Sequence, residues 1–114
     1  MNARITRTRW VEVCALDDIG AGGSLPALVG RLQLALHRVA DSDAVYASDA
    51  FDPFSKAYVL SRGLVGDRGG VVKVASPLHK QSFALATGEC LDDPAVRVPI
   101  YGVRVRGGIV ELSA

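Results

Sequence analysis

Apolar residues along the chain fall into short runs separated by glycine, proline, aspartate and serine, the spacing expected of a β-sandwich or barrel. Trp10 to Leu16 (WVEVCAL) alternates, with Trp10, Glu12 and Cys14 on one face and Val11, Val13 and Ala15 on the other. Asp17, Asp18 and the stretch from Gly20 to Ser24 end it. Ala44 to Ser48, Val71 to Ala75 and Gln81 to Ala86 are further short strands by the same criterion. Ile100 to Arg106 is predicted to pair with Ile109 to Leu112 across Gly107-Gly108, because two glycines between β-rich runs supply the positive φ angles that a tight hairpin demands.

One segment supports two readings. In 25-LPALVGRLQLALHRVA-40, Leu25, Leu28, Leu32, Leu36 and Val39 recur at three and four residues, the stripe of an amphipathic helix. Leu32, Leu34 and Leu36 also alternate with Arg31, Gln33 and His37, and Gly30 interrupts the helical pattern. Local pattern leaves strand and helix evenly matched here.

Length and composition narrow the class. With 114 residues the chain is read as one domain, residues 10–114, preceded by a flexible segment at 1–9. Hydrophobic residues make up 49% and charged residues 22%, as in an ordinary folded domain. The formal net charge is +1 and the basic residues are scattered along the sequence, so nucleic acid is not an expected partner. Arg4, Arg7 and Arg9 precede no apolar core of signal-peptide length, and no apolar stretch approaches the roughly 20 residues of a membrane span, so the expected location is the cytoplasm.

Cys14 and Cys90 lie far apart and form no C-x-x-C pattern, which in a reducing compartment reads as two free thiols, one in a strand and one near a turn. His37 reads as a surface or half-buried polar residue, and His79 as a polar loop residue, because an isolated imidazole makes a poor metal site.

The segments 52-DPFSKAYVLSRGLVGD-67, 76-SPLHKQSFALATGECLDDP-94 and 99-PIYGVRVRGGIVEL-112, taken in order, resemble the small subunits of assimilatory NADH-dependent nitrite reductases, a family similar in fold to Rieske ferredoxins. The resemblance covers nearly the whole chain from Trp10 onward. It implies an all-β, Rieske-like antiparallel β-sandwich with a small inserted loop subdomain, in which Leu25 to Val39 forms two short strands about Gly30. It also implies a partner, a large reductase subunit carrying FAD, siroheme and a four-iron cluster, which performs the six-electron reduction of nitrite to ammonium.

A Rieske centre takes two Cys thiolates and two His imidazoles, which the resemblance places on loops of the form C-x-H and C-x-x-H. In this chain the first loop falls on Asp52-Pro53-Phe54 and the second on Ser76-Pro77-Leu78-His79. Asp52 and Ser76 thus stand at the Cys positions and Phe54 at a His position, and His79 alone keeps its type. Iron bridged by sulfide calls for soft thiolates, so this chain is expected to hold no cluster, no other cofactor and no catalytic residue. Phe54 is expected to be substantially buried between the loops, with Phe54→Ala costing roughly 3 to 5 kcal/mol.

The edge made by residues 52–56 and 76–81 is the candidate docking surface, with Phe54, Lys56, Leu78, His79, Lys80 and Gln81 offering an apolar centre and a polar rim. Arg62, Lys80 and Arg104 read as solvated charges that the resemblance raises to candidate contacts. Two other readings compete with the accessory subunit. One is a Rieske-type ferredoxin carrying electrons to an oxygenase, which the ligand count opposes. The other is an independent enzyme using Asp52, His79 and Ser76 as acid, base and nucleophile, for which no nucleophile-elbow pattern exists.

Overall fold

Gly30 settles the ambiguous segment. In the computed structural model, which describes residues 9–40, 42–78 and 80–113, Gly30 has φ +61 and the chain reverses there. Strands β2 (Ser24–Val29) and β3 (Leu32–Arg38) pair antiparallel with Val29 opposite Leu32. The pairing sets Leu25 against Leu36, Ala27 against Leu34 and Val29 against Leu32, so the apolar residues of two strands form one face. The helical stripe is thereby dismantled: Leu28 is 71% exposed while Leu36 is fully buried. Cross-strand packing overrides the local periodicity, as β-propensity commonly does.

β3 is central because both of its faces are buried. It lies between β2 and β4 (Val45–Asp49), and β4 pairs in turn with β10 (Ile100–Tyr101) to complete a four-stranded sheet. Leu34 and Leu36 face a second sheet made of β1 (Trp10–Ala15), β12 (Ile109–Ser113) and β11 (Val103–Arg106), and with Leu16, Ile19, Ala47, Val110 and Leu112 they form the sandwich core. Ala35 faces the opposite way, into another core with Leu60, Val74, Phe83, Leu85, Cys90 and Val98.

That second core belongs to an inserted unit. The chain leaves the sheet after β4 and returns at β10, and residues 50–99 cover the other face of β3. The insertion holds a short hairpin of β5 (Phe51–Asp52) and β6 (Ala57–Tyr58), a 3-10 turn at Leu60–Arg62, and an antiparallel sheet of β7 (Leu64–Arg68), β8 (Val71–Ala75) and β9 (Ser82–Ala84). The all-β sandwich with an inserted loop subdomain is therefore observed, the insertion having its own sheet and core. Among the described residues no helix is long and apolar enough to cross a membrane.

Several elements fall where the residue pattern places them. β8 has the predicted bounds, and Gly107 (φ +56) and Gly108 (φ +78) form the turn between β11 and β12. Cys14 and Cys90 are free thiols. β1 departs from simple alternation, because a bulge between Glu12 and Cys14 leaves Val13 without a partner and brings both Val13 and Cys14 against the sandwich core. β7 was not anticipated. Residues 1–8, most of the predicted flexible segment, lie outside the described residues.

His37 corrects an expectation, since it is fully buried instead of being at or near the surface. It projects from β3 on the Ala35 side, with Nδ1 2.7 Å from Ser24 Oγ and Nε2 2.8 Å from Ser48 Oγ. The Ser24 hydroxyl donates to Gly63 O at 2.9 Å, tying the inserted unit to the central sheet. The Ser48 hydroxyl likewise has a backbone carbonyl in reach, Asp49 O at 3.0 Å, and a neutral ring, carrying one N–H, donates to one of the two serine oxygens and accepts from the other. Burial disfavours the imidazolium and lowers the His37 pKa from 6.5 to about 4.

The sign of the resulting pH dependence follows. Above pH 6.5 the folded and unfolded chains both carry neutral His37, and its contribution to stability is complete. Below 6.5 the unfolded chain binds the proton first, so stability falls by about 1.4 kcal/mol per pH unit until about pH 4. His37→Gln should lower stability at pH 7 and flatten this part of the profile. Urea unfolding at a series of pH values checks it, and an unchanged slope in the variant would assign the acid sensitivity elsewhere.

Candidate functional site

The two loops singled out in the sequence repeat one another. Residues 52–56 (DPFSK) join β5 to β6, and residues 76–80 (SPLHK) lie between β8 and β9. In each, the first side chain accepts a hydrogen bond from the backbone two residues on: Phe54 N–H donates to Asp52 Oδ1 at 2.9 Å, and Leu78 N–H to Ser76 Oγ at 3.3 Å. In each, the fifth residue closes the loop onto the first carbonyl, with Lys56 N–H on Asp52 O at 2.7 Å and Lys80 N–H on Ser76 O at 3.0 Å. Asp and Ser suit the leading position because their short side chains reach backbone amides two residues away.

Closure sets both lysines in the left-handed region, Lys56 at φ 58 and Lys80 at φ 62, the only described non-glycine residues with positive φ. Such a backbone is uncommon for a side chain of this size and persists where neighbouring bonds hold it. The shared pattern, a small polar residue, Pro, an apolar residue, any residue and Lys, was legible in the sequence. Reading the loops one ligand position at a time missed it.

One hydrogen bond joins the loops. Ser76 Oγ donates to Asp52 Oδ2 at 2.5 Å, and both residues are sealed from solvent, at 1% and 0% exposure. Burial alone would raise the Asp52 pKa, but the bonds from the Ser76 hydroxyl and from Phe54 N–H oppose it, and the carboxyl is held below its usual range. The pair is thus a buried, ionised carboxylate with its donors in place, a charge-assisted bond and not an unmet cost.

This arrangement answers two of the readings. An acid and nucleophile that no substrate can reach, bonded to each other, have no route to catalysis, so the independent-enzyme reading fails on Asp52 and Ser76. As for a two-iron cluster, the four positions supply a carboxylate and a hydroxyl already bonded to one another, a phenyl ring, and His79, which lies outside the described residues. Hard oxygen donors engaged in this way do not fit sulfide-bridged iron. Among the described residues no group of three His, Cys, Asp or Glu side chains comes together to hold a metal ion.

Phe54 is partly buried and packs against the second core. Its ring lies 6.1 Å from that of Phe83, against the edge of the second core. The partial exposure brings the expected cost of Phe54→Ala down to about 1.5–3 kcal/mol, that of one apolar side chain leaving a contact. Of the other residues predicted to meet a partner, Lys56, Leu78 and Lys80 are exposed and Gln81 is half-buried. Arg62 is exposed, as predicted for a solvated charge. Arg104 is half-buried on β11, where it bonds Glu111 at 2.6 Å and lies 4.0 Å from the centre of the Trp10 ring.

Ser76→Ala removes the shortest donor to a buried carboxylate and should cost about 1.5–3 kcal/mol at pH 7. Because the folded Asp52 pKa is depressed, this stabilisation is complete above the ordinary carboxylate range and disappears as pH falls through the lowered value. The difference between wild type and variant in urea unfolding should therefore shrink in acid. A difference independent of pH would show that Asp52 is not the partner that matters.

Comparison with known proteins agrees with the geometry. The profile of the Rieske-like [2Fe-2S] domain matches residues 9–113. The chain is 44% identical over 105 residues to the nitrite reductase (NADH) small subunit of Salmonella typhimurium, spanning 92% of this chain and 97% of that one. It is 43% identical over 101 residues to a chain named nitrite reductase [NAD(P)H] large subunit in Klebsiella oxytoca, spanning 89% of this chain and 10% of that one. Its fold superposes with TM-score 0.88 on a Mycobacterium tuberculosis protein assigned as an NADH-dependent nitrite reductase small subunit, 44% identical, with 96% of this chain and 97% of that chain covered. The chain belongs to the Rieske-like domain family, in the group of NADH-dependent nitrite reductase small subunits.

Proposed function

We propose that this chain is the non-catalytic small subunit of a cytoplasmic NADH-dependent nitrite reductase, which supports the reduction of nitrite to ammonium by a large subunit in nitrate assimilation. The observation that carries the reading is the sealed Ser76–Asp52 bond, which keeps both loops in place while leaving no ligand set between them. In this reading the electrons travel through FAD, siroheme and a four-iron cluster on the large subunit, and this chain holds no cofactor. The Klebsiella oxytoca relative supports the partnership, because there the matching segment is a tenth of a chain named large subunit. A ferredoxin reading would need a cluster in these loops, and their donors do not provide one.

Within this reading the loops present a surface. Lys56 and Lys80 stand out from closed, pre-ordered turns beside exposed Leu78 and half-buried Phe54 and Gln81. His79, between Leu78 and Lys80 in sequence, belongs to the same proposed edge. Loops fixed before binding lose less conformational entropy when a partner docks.

Two measurements test the proposal. The protein purified without oxygen should be colourless and free of iron; stoichiometric iron with visible absorbance would overturn the cofactor part. Lys56→Glu with Lys80→Glu should leave the thermal melt within about 0.5 kcal/mol of wild type, since exposed charges contribute little to stability. It should also abolish co-purification with the large subunit. Full nitrite reduction by the complex carrying that double variant would place the docking surface elsewhere.

A further inference from the structure

Cations scattered in the sequence meet on one face of the inserted sheet. In β8, Val72 and Val74 turn toward the second core, so Val71, Lys73 and Ala75 face outward. The register places Arg68, Gly66 and Leu64 of β7 opposite Val71, Lys73 and Ala75, on that same outward face, and Asp67 opposite Val72 on the other. Gly63 brings in a further cation. A Cβ there would come 2.5 Å from Val74 Cγ2 and 2.7 Å from Ala75 O, so only glycine lets the Leu60–Arg62 turn lie against β8 and deliver Arg62. The second loop delivers Lys80 from the other end. The result is a cleft of about 700 Å³ whose lining includes Arg62, Leu64, Arg68, Lys73, Lys80 and Ser82.

Three of the four cations of this cleft have no ion-pair partner among the described residues. Arg68 pairs with Asp92 at 3.1 Å, and that carboxylate also accepts Ser82 N–H at 2.8 Å. The other ion pairs among the described residues are Arg38 with Asp43 and Arg104 with Glu111, which leaves Arg62, Lys73 and Lys80 without a carboxylate within 4.0 Å. A chain of net charge +1 thus brings four cations, Arg62, Arg68, Lys73 and Lys80, to one place, with Asp92 beside Arg68. The three lysines of the entire sequence, Lys56, Lys73 and Lys80, all belong to this cleft or to the loops beside it. Leu64, 73% exposed, supplies an apolar wall, and Leu78, 58% exposed, lies on the adjoining loop.

We propose that this cleft receives an acidic segment of the large subunit, with its carboxylates on Arg62, Lys73 and Lys80 and an apolar side chain on Leu64. The proposal rests on the docking role given above and extends that surface from the loop edge onto the β7–β8 face. A polypeptide suits the site better than a nucleotide. The cations are spread along an open sheet face beside an exposed leucine, and among the described residues no α-helix offers N-terminal amides to a phosphate. Electrostatic complementarity of this kind chiefly sets orientation and association rate.

Three lysines make the test direct. Acetylation by acetic anhydride, read by mass spectrometry with and without the purified large subunit, reports each one separately. Protection of Lys73 together with Lys56 and Lys80 is expected. Arg62→Glu with Lys73→Glu should weaken binding about tenfold at low ionic strength, with the gap closing in high salt, and the milder Arg62→Gln with Lys73→Gln should fall between. If Lys56 and Lys80 are protected while Lys73 stays reactive, or if the glutamate variant binds as tightly as wild type, the cleft is not the acidic-segment site and the loop edge alone docks. If none of the three lysines is protected, the docking reading itself falls. Protection of Lys73 by inorganic pyrophosphate and not by the large subunit would replace the acidic segment with a small anion.

Discussion

Burial of β3 on both faces is the constraint on which the rest of the molecule depends. Leu34 and Leu36 close the sandwich core, while Ala35 and His37, one residue out of phase, must be covered from the other side. A two-layer sandwich would leave that second face in water. The unit of residues 50–99 supplies the cover, with Leu60, Val74, Phe83 and Leu85 packed against Ala35 and the Leu60–Arg62 turn against β2 and β3. A slip of one residue in β3 would exchange the two faces, setting leucines against the insertion and a histidine in the sandwich core. The imidazole therefore serves as a register mark as well as a tie, since only the observed register sets it between Ser24 and Ser48.

From that base the insertion acts as a bracket for the paired loops. The β5–β6 hairpin and the β8–β9 connection each form an internally bonded five-residue turn, and the Ser76–Asp52 bond joins the two. Each turn is closed by its own backbone bond, Lys56 N–H to Asp52 O and Lys80 N–H to Ser76 O. In the proposed reading, loops joined by a hydroxyl and a carboxylate serve as a docking surface and not as a redox centre.

What was legible in the sequence depended on how local its cause was. The Gly107-Gly108 hairpin and the β8 strand were predicted correctly because turn chemistry and a β-branched run act within a few residues. β7 escaped notice because Gly66, Asp67 and Arg68 interrupt any apolar pattern in a strand that is largely exposed. The bulge at Val13 is imposed by β12 and cannot be seen in β1 alone. His37 was misplaced for the same reason: Gln33 and Arg38 suggest a wet surface, and its partners Ser24, Ser48 and Gly63 lie far off in the chain. At the site, both loops were located from their residues, but the bond between them spans 24 positions and required the fold.

A cluster ligated from both loops would tie them through several metal–ligand bonds. Here the tie is a single charge-assisted bond, worth about 1.5–3 kcal/mol, and its charge assistance lasts only while Asp52 is ionised. Its depressed pKa keeps it ionised throughout the neutral range, so under those conditions the loop edge is held as firmly as one hydrogen bond allows. For the proposed docking role the weaker tie is sufficient. Electron transfer requires a redox centre fixed close to its partner, whereas docking tolerates loops that settle on contact, and Lys56 and Lys80 are already held in position by their own closing bonds. The energetic demand on the Ser76–Asp52 pair is then modest: it has to keep two preformed turns side by side, and the cores beneath them supply the rest of the rigidity.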